Sequence, residues 1–106
     1  MLIDANGMVS LWIDNDWTAN ARPLLAHDPQ WCTEPYALIM LSNVFATYLR
    51  HKLLAREDTD TRLEQAEALF AAGLFPVAHR QALDIAIHYG ISAYDARFLA
   101  VAHILG

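Results

Sequence analysis

Residues 36–51 constrain the fold more than any other part of the sequence. They are apolar nearly all round at helical spacing, which predicts a helix that neighbouring elements bury on most sides. Pro35 suits the first turn of this helix, where a missing N–H costs nothing. The most apolar part, residues 36–49, has 14 residues and carries Ser42, Asn43 and Thr47. It is therefore too short and too polar to span a membrane.

The amino-acid composition excludes several classes of protein. Of 106 residues, 56% are hydrophobic and 18% are charged, which excludes a disordered tail, a low-complexity linker and a collagen-like repeat. We expect one domain over residues 1–106. The start, Met-Leu-Ile-Asp, has no basic segment of a signal peptide. A single cysteine, Cys32, fits a reducing compartment, so we expect a cytoplasmic protein with no membrane attachment.

Short apolar runs alternate with helical patterns along the chain. The patterns predict helices at 8–13, 17–27, 36–51, 58–72, 79–89 and 92–105, and brief strands at 2–3, 31–33 and 75–77. Gly73 and Gly90 are the predicted helix stops. Strands that alternate with helices predict an α/β fold, in which a short parallel sheet carries helices on both faces.

Two polar residues, Asp4 and Asn6, follow the first predicted strand. In open α/β sheets, ligands bind at the carboxyl ends of the strands, because the loops there leave a crevice. Asp and Asn also hydrogen-bond their own turns, which is a purely structural interpretation of the same pattern. Both interpretations of Asp4 stay open at this point.

A second carboxylate, Asp95, opens the last predicted helix three residues after Ser92. This spacing resembles a capping box, and the helix dipole favours an acid in the first turn. If Asp4 and Asp95 meet in space, their oxygens suit a hard divalent cation.

The predicted helix 36–51 places Met40, Asn43 and Thr47 at i, i+3 and i+7, on one face. The two polar residues suggest that this face lines a polar cleft. An acid at position 40 would complete an acidic site there. Met40 offers a thioether instead, and Mg²⁺ demands oxygen ligands.

Taken together, these segments resemble the PIN domain of VapC-type toxins from bacterial toxin–antitoxin pairs. The resemblance spans the chain in order, through LIDAN at 2–6, Trp31 with Pro35, NVFATYLR at 43–50 and SAYDARFLAVA at 92–102. It implies a three-layer α/β/α fold and cleavage of RNA at a cluster of acids that holds Mg²⁺ or Mn²⁺. By position, Asp4 and Asp95 would be the catalytic and metal-binding acids, with Asn6 and Asn43 as further cofactor-binding residues.

The sequence departs from that family at two places. The family has a Glu three residues before the helix Asn, where this chain has Met40. The family also continues from the last helix into a strand and an acid-bearing turn, whereas this sequence stops at Gly106. Two of the expected carboxylates are therefore present.

These departures set the functional expectations. We expect a ribonuclease-like protein with weak or no activity, or alternatively a catalytically inactive PIN-like binding protein. A purely helical interaction module is a third possibility, which holds only if the predicted short strands are wrong. The resemblance implies an RNA substrate and a cognate antitoxin as partners. We also expect a homodimer, because the last helix has an apolar face with no following strand to cover it. That face comprises Phe98, Leu99, Val101, Ala102 and Leu105.

Overall fold

The computed structural model describes residues 1–14, 23, 26–27 and 30–106. In this part of the chain a π-helical turn, Ser10–Asp14, follows the first of five α-helices. The α-helices are α1 (Ala5–Val9), α2 (Tyr36–Arg50), α3 (Arg56–Phe70), α4 (His79–Tyr89) and α5 (Ala93–Leu105). The predicted helix at 17–27 falls mainly outside the described residues, and α1 with the π-helical turn replaces the helix predicted at 8–13.

The predicted parallel sheet is absent from the described residues. Three extended segments do run parallel, but they form only two isolated bridges, Leu2 with Cys32 and Thr33 with Leu74. Backbone hydrogen bonds of 2.8–2.9 Å hold these segments together, from Cys32 to the first segment and from Thr33 to the third. The prediction of a three-layer α/β/α fold with a short parallel sheet is therefore wrong, since residues 1–14 and 30–106 are organised by helices.

Helix starts explain why the extended segments stay so short. Asp4 is the N-cap of α1, so the first segment ends after Ile3. Pro35 is the N-cap of α2 and stands two residues after Thr33, the last bridged residue of the second segment. In the third segment Pro76 has no N–H to donate to a neighbouring strand. Each run is apolar enough for a strand, but it ends before a ladder can form.

Helix α2 is less buried than its composition predicts. Ala37, Leu41 and Phe45 are buried at spacings of four residues, which is one face of a helix. On another side Ile39 is 64% exposed and Asn43 is exposed. The prediction of a helix buried on most sides therefore holds in part: α1 and α3 pack against it, and the side that carries Ile39 and Asn43 is exposed.

Helices α4 and α5 form a hairpin whose boundaries agree with the predicted ones. Gly90 ends α4 in the left-handed conformation at φ 66°, which glycine adopts without steric cost. The Ser92 side chain caps α5. The hairpin packs through small residues, which let two helices approach closely. They are Val77, Ala82, Ala86, Ala96, Ala100 and Val101, here called the alanine core.

A second cluster lies around α1, α2 and α3 and is built from large side chains. We call it the aromatic core, and it comprises Ile3, Met8, Leu11, Trp12, Trp31, Ala37, Leu41, Phe45, Ala66, Phe70 and Phe98. Gly73 follows α3 and lies against the backbone of Trp31 and Cys32. A Cβ atom there would lie 2.1 Å from the carbonyl oxygen of Trp31, so this position excludes every larger residue without a backbone shift.

None of the helices in the described part of the chain is long and apolar enough to cross a membrane.

Candidate functional site

Two acids that are far apart in the sequence, Asp4 and Asp95, line the same cavity. Its volume is about 170 Å³, and Asn6 and Met40 line it as well. The remaining lining residues are Ala5, Tyr36, Ser92, Tyr94 and Phe98. We call this cavity the acidic pocket. The starts of α1 and α5 and the first half of α2 thus bring together four residues that the sequence analysis singled out.

Asp4 has a structural role in the acidic pocket. It adopts an extended conformation at the N-cap of α1, and the Gly7 N–H donates a hydrogen bond of 2.8 Å to its Oδ1. The structural interpretation of Asp4 is therefore confirmed. This bond uses one carboxylate oxygen, so capping leaves Oδ2 for a ligand of the pocket.

Asp95 sits in the first turn of α5. Its backbone N–H donates a 3.0 Å hydrogen bond to Ser92 Oγ, which confirms the predicted cap. The bond involves the backbone of Asp95 and leaves its carboxylate out of the cap. Both acids are exposed to solvent.

The structure separates Asn43 from the other candidates. Asn43 is exposed on α2 and is not among the residues that line the acidic pocket. Its carbonyl oxygen accepts a 3.1 Å hydrogen bond from Thr47 Oγ1, which in turn accepts one from Arg50. Met40, one turn earlier on the helix, is the residue of α2 that reaches the pocket together with Tyr36.

The oxygen donors of the acidic pocket suit a weakly held cation. Two carboxylates and the Asn6 amide line it, and a hard divalent ion accepts such oxygens while keeping several waters. Among the described residues no group of three or more His, Cys, Asp or Glu side chains comes together as a metal site. The described part of the pocket thus offers two carboxylates and one amide as oxygen donors.

Sequence reasoning missed a buried ion pair beside the pocket. Arg97 Nη1 lies 3.2 Å from Glu34 Oε1, and the side chains of Arg97 and Glu34 are 16% and 4% exposed. Arg97 also donates to the Val77 carbonyl at 2.7 Å and lies 2.6 Å from His79 Nδ1. The remaining carboxylate oxygen of Glu34 accepts a 2.6 Å bond from the Tyr36 N–H.

This ion pair connects two elements that supply residues to the pocket lining. Tyr36 directly follows the segment that Glu34 anchors, and Arg97 is two residues beyond Asp95 on α5. A signal existed in the sequence, because an acid just before a helix-starting proline is well placed to bond the first N–H groups. Its partner is 63 residues away, which no local pattern reveals.

Aromatic rings form one wall of the acidic pocket. The rings of Tyr36 and Tyr94 stack with centroids 4.9 Å apart and an interplanar angle of 13°. Phe98 packs edge-on to Tyr36 at 6.5 Å. Phe98 is buried, whereas Tyr94 is 60% exposed. The three rings thus run from the aromatic core to the pocket mouth.

A larger cavity, of about 590 Å³, lies elsewhere in the described part of the chain. Its lining consists of Met1, Gln30, Trp31, Cys32, Leu69, Ala72, Gly73, Phe75 and Leu105. Its lining contains no acid and no histidine, and Cys32 is buried there. The smaller acidic pocket is therefore the better candidate site for acid–base or cation chemistry.

Comparison of the chain with known proteins does not extend this description. No protein-family model matches the sequence, and no curated protein matches it either. The function is therefore inferred from the residues of the acidic pocket and from the expectations that the sequence itself raised.

Proposed function

We propose that this chain is a cytoplasmic relative of the ribonuclease toxins and that its acidic pocket binds Mg²⁺ or Mn²⁺ through Asp4 and Asp95. One observation carries the proposal: the two acids come from helix starts 91 positions apart and line one cavity together with Asn6. The pocket needs no sheet, because α1, α2 and α5 supply its lining. The relationship to ribonuclease toxins remains a proposal that rests on the sequence resemblance.

The residues around the acids hold them in place for such an ion. Gly7 fixes one oxygen of Asp4, and the Ser92 cap fixes the backbone from which Asp95 projects. A bound divalent ion would supply Lewis acidity toward a phosphate oxygen and a water ligand. Asn6 adds a neutral amide that can orient either group by hydrogen bonding.

We expect nuclease activity to be weak or absent. Met40 lines the pocket where a third carboxylate would stand, and its sulfur is a poor ligand for a hard ion. No Lys or Arg belongs to the pocket lining, so no side chain there attracts phosphate directly. A misplaced reacting water costs orders of magnitude in rate.

Thermal unfolding with and without Mn²⁺ tests the cation site. Mn²⁺ should raise the Tm of the wild type by about 4–8 °C for each 1 kcal/mol of binding free energy. Asp4→Asn and Asp95→Asn should each abolish the rise. Asn caps a helix as well as Asp does, so Asp4→Asn preserves the cap of α1 while removing the charge.

The matched control for these variants is Asp84→Asn, which removes an exposed acid of α4 paired with Arg80. It should respond to Mn²⁺ like the wild type. An equal Mn²⁺ response in Asp4→Asn and wild type would contradict the proposed site.

Met40→Glu tests the missing ligand. The variant should be less stable than wild type without metal, because three carboxylates then share the pocket, and it should gain more in Tm from Mn²⁺. It is also the single change best able to raise RNA cleavage. Strong, chelator-sensitive cleavage by the wild type would contradict the expectation of weak activity.

The alternative is a catalytically inactive binding protein that keeps the pocket for recognition. Met40 and the net charge of −5 favour it. An unchanged lack of cleavage in Met40→Glu, together with an intact Mn²⁺ response, would select it. In either case RNA and a cognate antitoxin are the partners that the resemblance suggests.

We propose further that two copies of the chain associate. The expected apolar face of α5 is partly covered, since Phe98 and Val101 are buried within the chain. Exposed apolar residues remain on the same hairpin, at Ile87 (72%), Ile104 (57%) and Leu105 (48%). Light scattering at tens of micromolar should give twice the mass of the chain, and a monomer mass without aggregation would refute the dimer.

A further inference from the structure

We infer that the larger cavity, of about 590 Å³, binds a small, uncharged aromatic molecule. The inference goes beyond the proposed function, because this cavity shares no lining residue with the acidic pocket. It requires neither a bound cation nor RNA.

The larger cavity reaches from the interior of the protein to its surface. Three of its lining residues, Trp31, Cys32 and Gly73, are buried, whereas Gln30 and Ala72 are exposed. The volume of about 590 Å³ falls within the roughly 300–1,000 Å³ of pockets that enclose a small-molecule ligand. A molecule that enters from the exposed side can therefore bury much of its own surface.

Two small residues after α3 leave this space open. Gly73 lies so close to the backbone of Trp31 and Cys32 that no Cβ atom fits there. Ala72 contributes only a methyl group as its side chain. No large side chain from this end of α3 therefore occupies the cavity.

The charges around the larger cavity favour an uncharged ligand. Its lining includes no Asp, Glu, His, Lys or Arg. The ammonium group of Met1 donates a hydrogen bond of 2.7 Å to the Gln30 carbonyl oxygen, so it already has a partner. A charged ligand would lose hydration in this cavity without meeting an oppositely charged side chain. An uncharged molecule avoids that cost.

Aromatic side chains in the lining favour a flat ring over an aliphatic chain. Trp31 is 4% exposed and packs against Phe70 with ring centroids 6.0 Å apart, which holds its indole in place. Phe75 supplies a second ring to the lining. Aromatic rings attract one another beyond what burial of their area provides. The polarisable sulfur of Cys32 adds a further favourable neighbour for a ring.

Titration with three naphthalene derivatives tests this inference, because the three share one ring system and differ in charge. They are naphthylmethanol, which is uncharged, naphthoate, an anion, and naphthylmethylammonium, a cation. In amide NMR spectra, naphthylmethanol should shift the signals of Cys32 and Gly73 saturably. It should bind about tenfold or more tightly than either ion. Equal or tighter binding of an ion would overturn the inference.

Ala72→Trp locates the binding site. A large side chain at this exposed position of the lining should occupy the cavity and weaken naphthylmethanol binding about tenfold or more. Ala71→Trp is the matched control, because Ala71 is also exposed and does not line the cavity. It should bind naphthylmethanol like the wild type.

Two further results would contradict the proposed ligand. The inference is overturned if naphthylmethanol fails to bind the wild type or binds both tryptophan variants equally well. It is also overturned if naphthylmethanol does not bind while Ala72→Trp, unlike Ala71→Trp, lowers the mass measured by light scattering. The cavity would then be occupied by a second copy of the chain.

Discussion

The aromatic core and the alanine core solve the same packing problem with side chains of very different size. Around α1, α2 and α3, Trp12, Trp31 and Phe70 meet with ring centroids 6.0–6.3 Å apart and fill the space between the helices. Between α4 and α5 the buried residues are mainly alanine, and the helices themselves approach. Large buried side chains stabilise the aromatic core, whereas the close approach of two helix backbones stabilises the alanine core.

The difference in the size of the buried side chains affects how much apolar surface each region leaves exposed. Large buried rings remove much apolar area from water, whereas alanine removes little. In the hairpin, the larger apolar side chains therefore end up outside, as Leu83 (50% exposed) and Ile87 (72%) show. Among the described residues, most of the large apolar side chains that stay exposed therefore lie on the hairpin with the smaller core.

The acidic pocket lies where the two cores join. Helix α5 contributes Phe98 to the aromatic core and Ala96, Ala100 and Val101 to the alanine core. Asp95 and Tyr94 stand at the start of this shared helix. The ion pair of Glu34 with Arg97 links the segment before α2 to the same helix. The geometry of the pocket therefore depends on both cores.

The largest expected effect is loss of a ring from the aromatic core. Phe70 is fully buried between two tryptophans, so Phe70→Ala should lower the free energy of unfolding by about 3–5 kcal/mol. Val101→Ala in the alanine core is the comparison, with an expected loss of about 2 kcal/mol. Urea unfolding measures both, and equal losses would break the distinction between the cores.

The second-largest expected effect on stability comes from the ion pair of Glu34 with Arg97, which links the two cores. Arg97→Met should cost about 3 kcal/mol, because the Glu34 carboxylate is then buried without its counter-charge. The double variant Glu34→Gln with Arg97→Met should recover part of that loss, since no charge remains buried. A double-mutant cycle from chemical unfolding measures the coupling. If the losses of unfolding free energy from the two single variants simply add in the double variant, the ion pair of Glu34 with Arg97 does not couple the two cores.

The smallest expected effect on folding is at the surface of the hairpin. Ile87→Lys should change the free energy of unfolding of the monomer by less than about 0.5 kcal/mol, because the side chain is exposed. In the proposed dimer it should shift the mass measured by sedimentation toward the monomer. Gln81→Lys, on an exposed position of the same helix, is the control that adds the same charge. Equal masses for both variants and the wild type would remove this face from the interface.

Local signals in the sequence predicted much of the helical framework. Pro35 marks the start of α2, Gly90 the end of α4 and Ser92 the cap of α5, and each works within one turn of backbone. The capping role of Asp4 also follows from its immediate neighbours. These features were predictable because their hydrogen-bonding partners lie within four residues.

The sheet prediction failed for a reason that local patterns do not contain. A short apolar run is compatible with a strand, but a ladder forms only if its neighbours run alongside it for several residues. Here Asp4 and Pro35 turn the chain into helices first, and two isolated bridges remain. The burial predicted for α2 was overestimated, because apolar composition does not show how many neighbours pack against a helix.

The sequence by itself determined where most helices begin and end and which acids are candidates for a site, because caps, turn residues and residue chemistry act locally. Only the tertiary structure decided that Asp4, Asn6, Met40 and Asp95 share one pocket and that Asn43 lies outside its lining. It also decided that Glu34 meets Arg97 across 63 residues and that Tyr94 stacks on Tyr36. Such contacts depend on the packing of both cores around α5, which is a property of the whole chain.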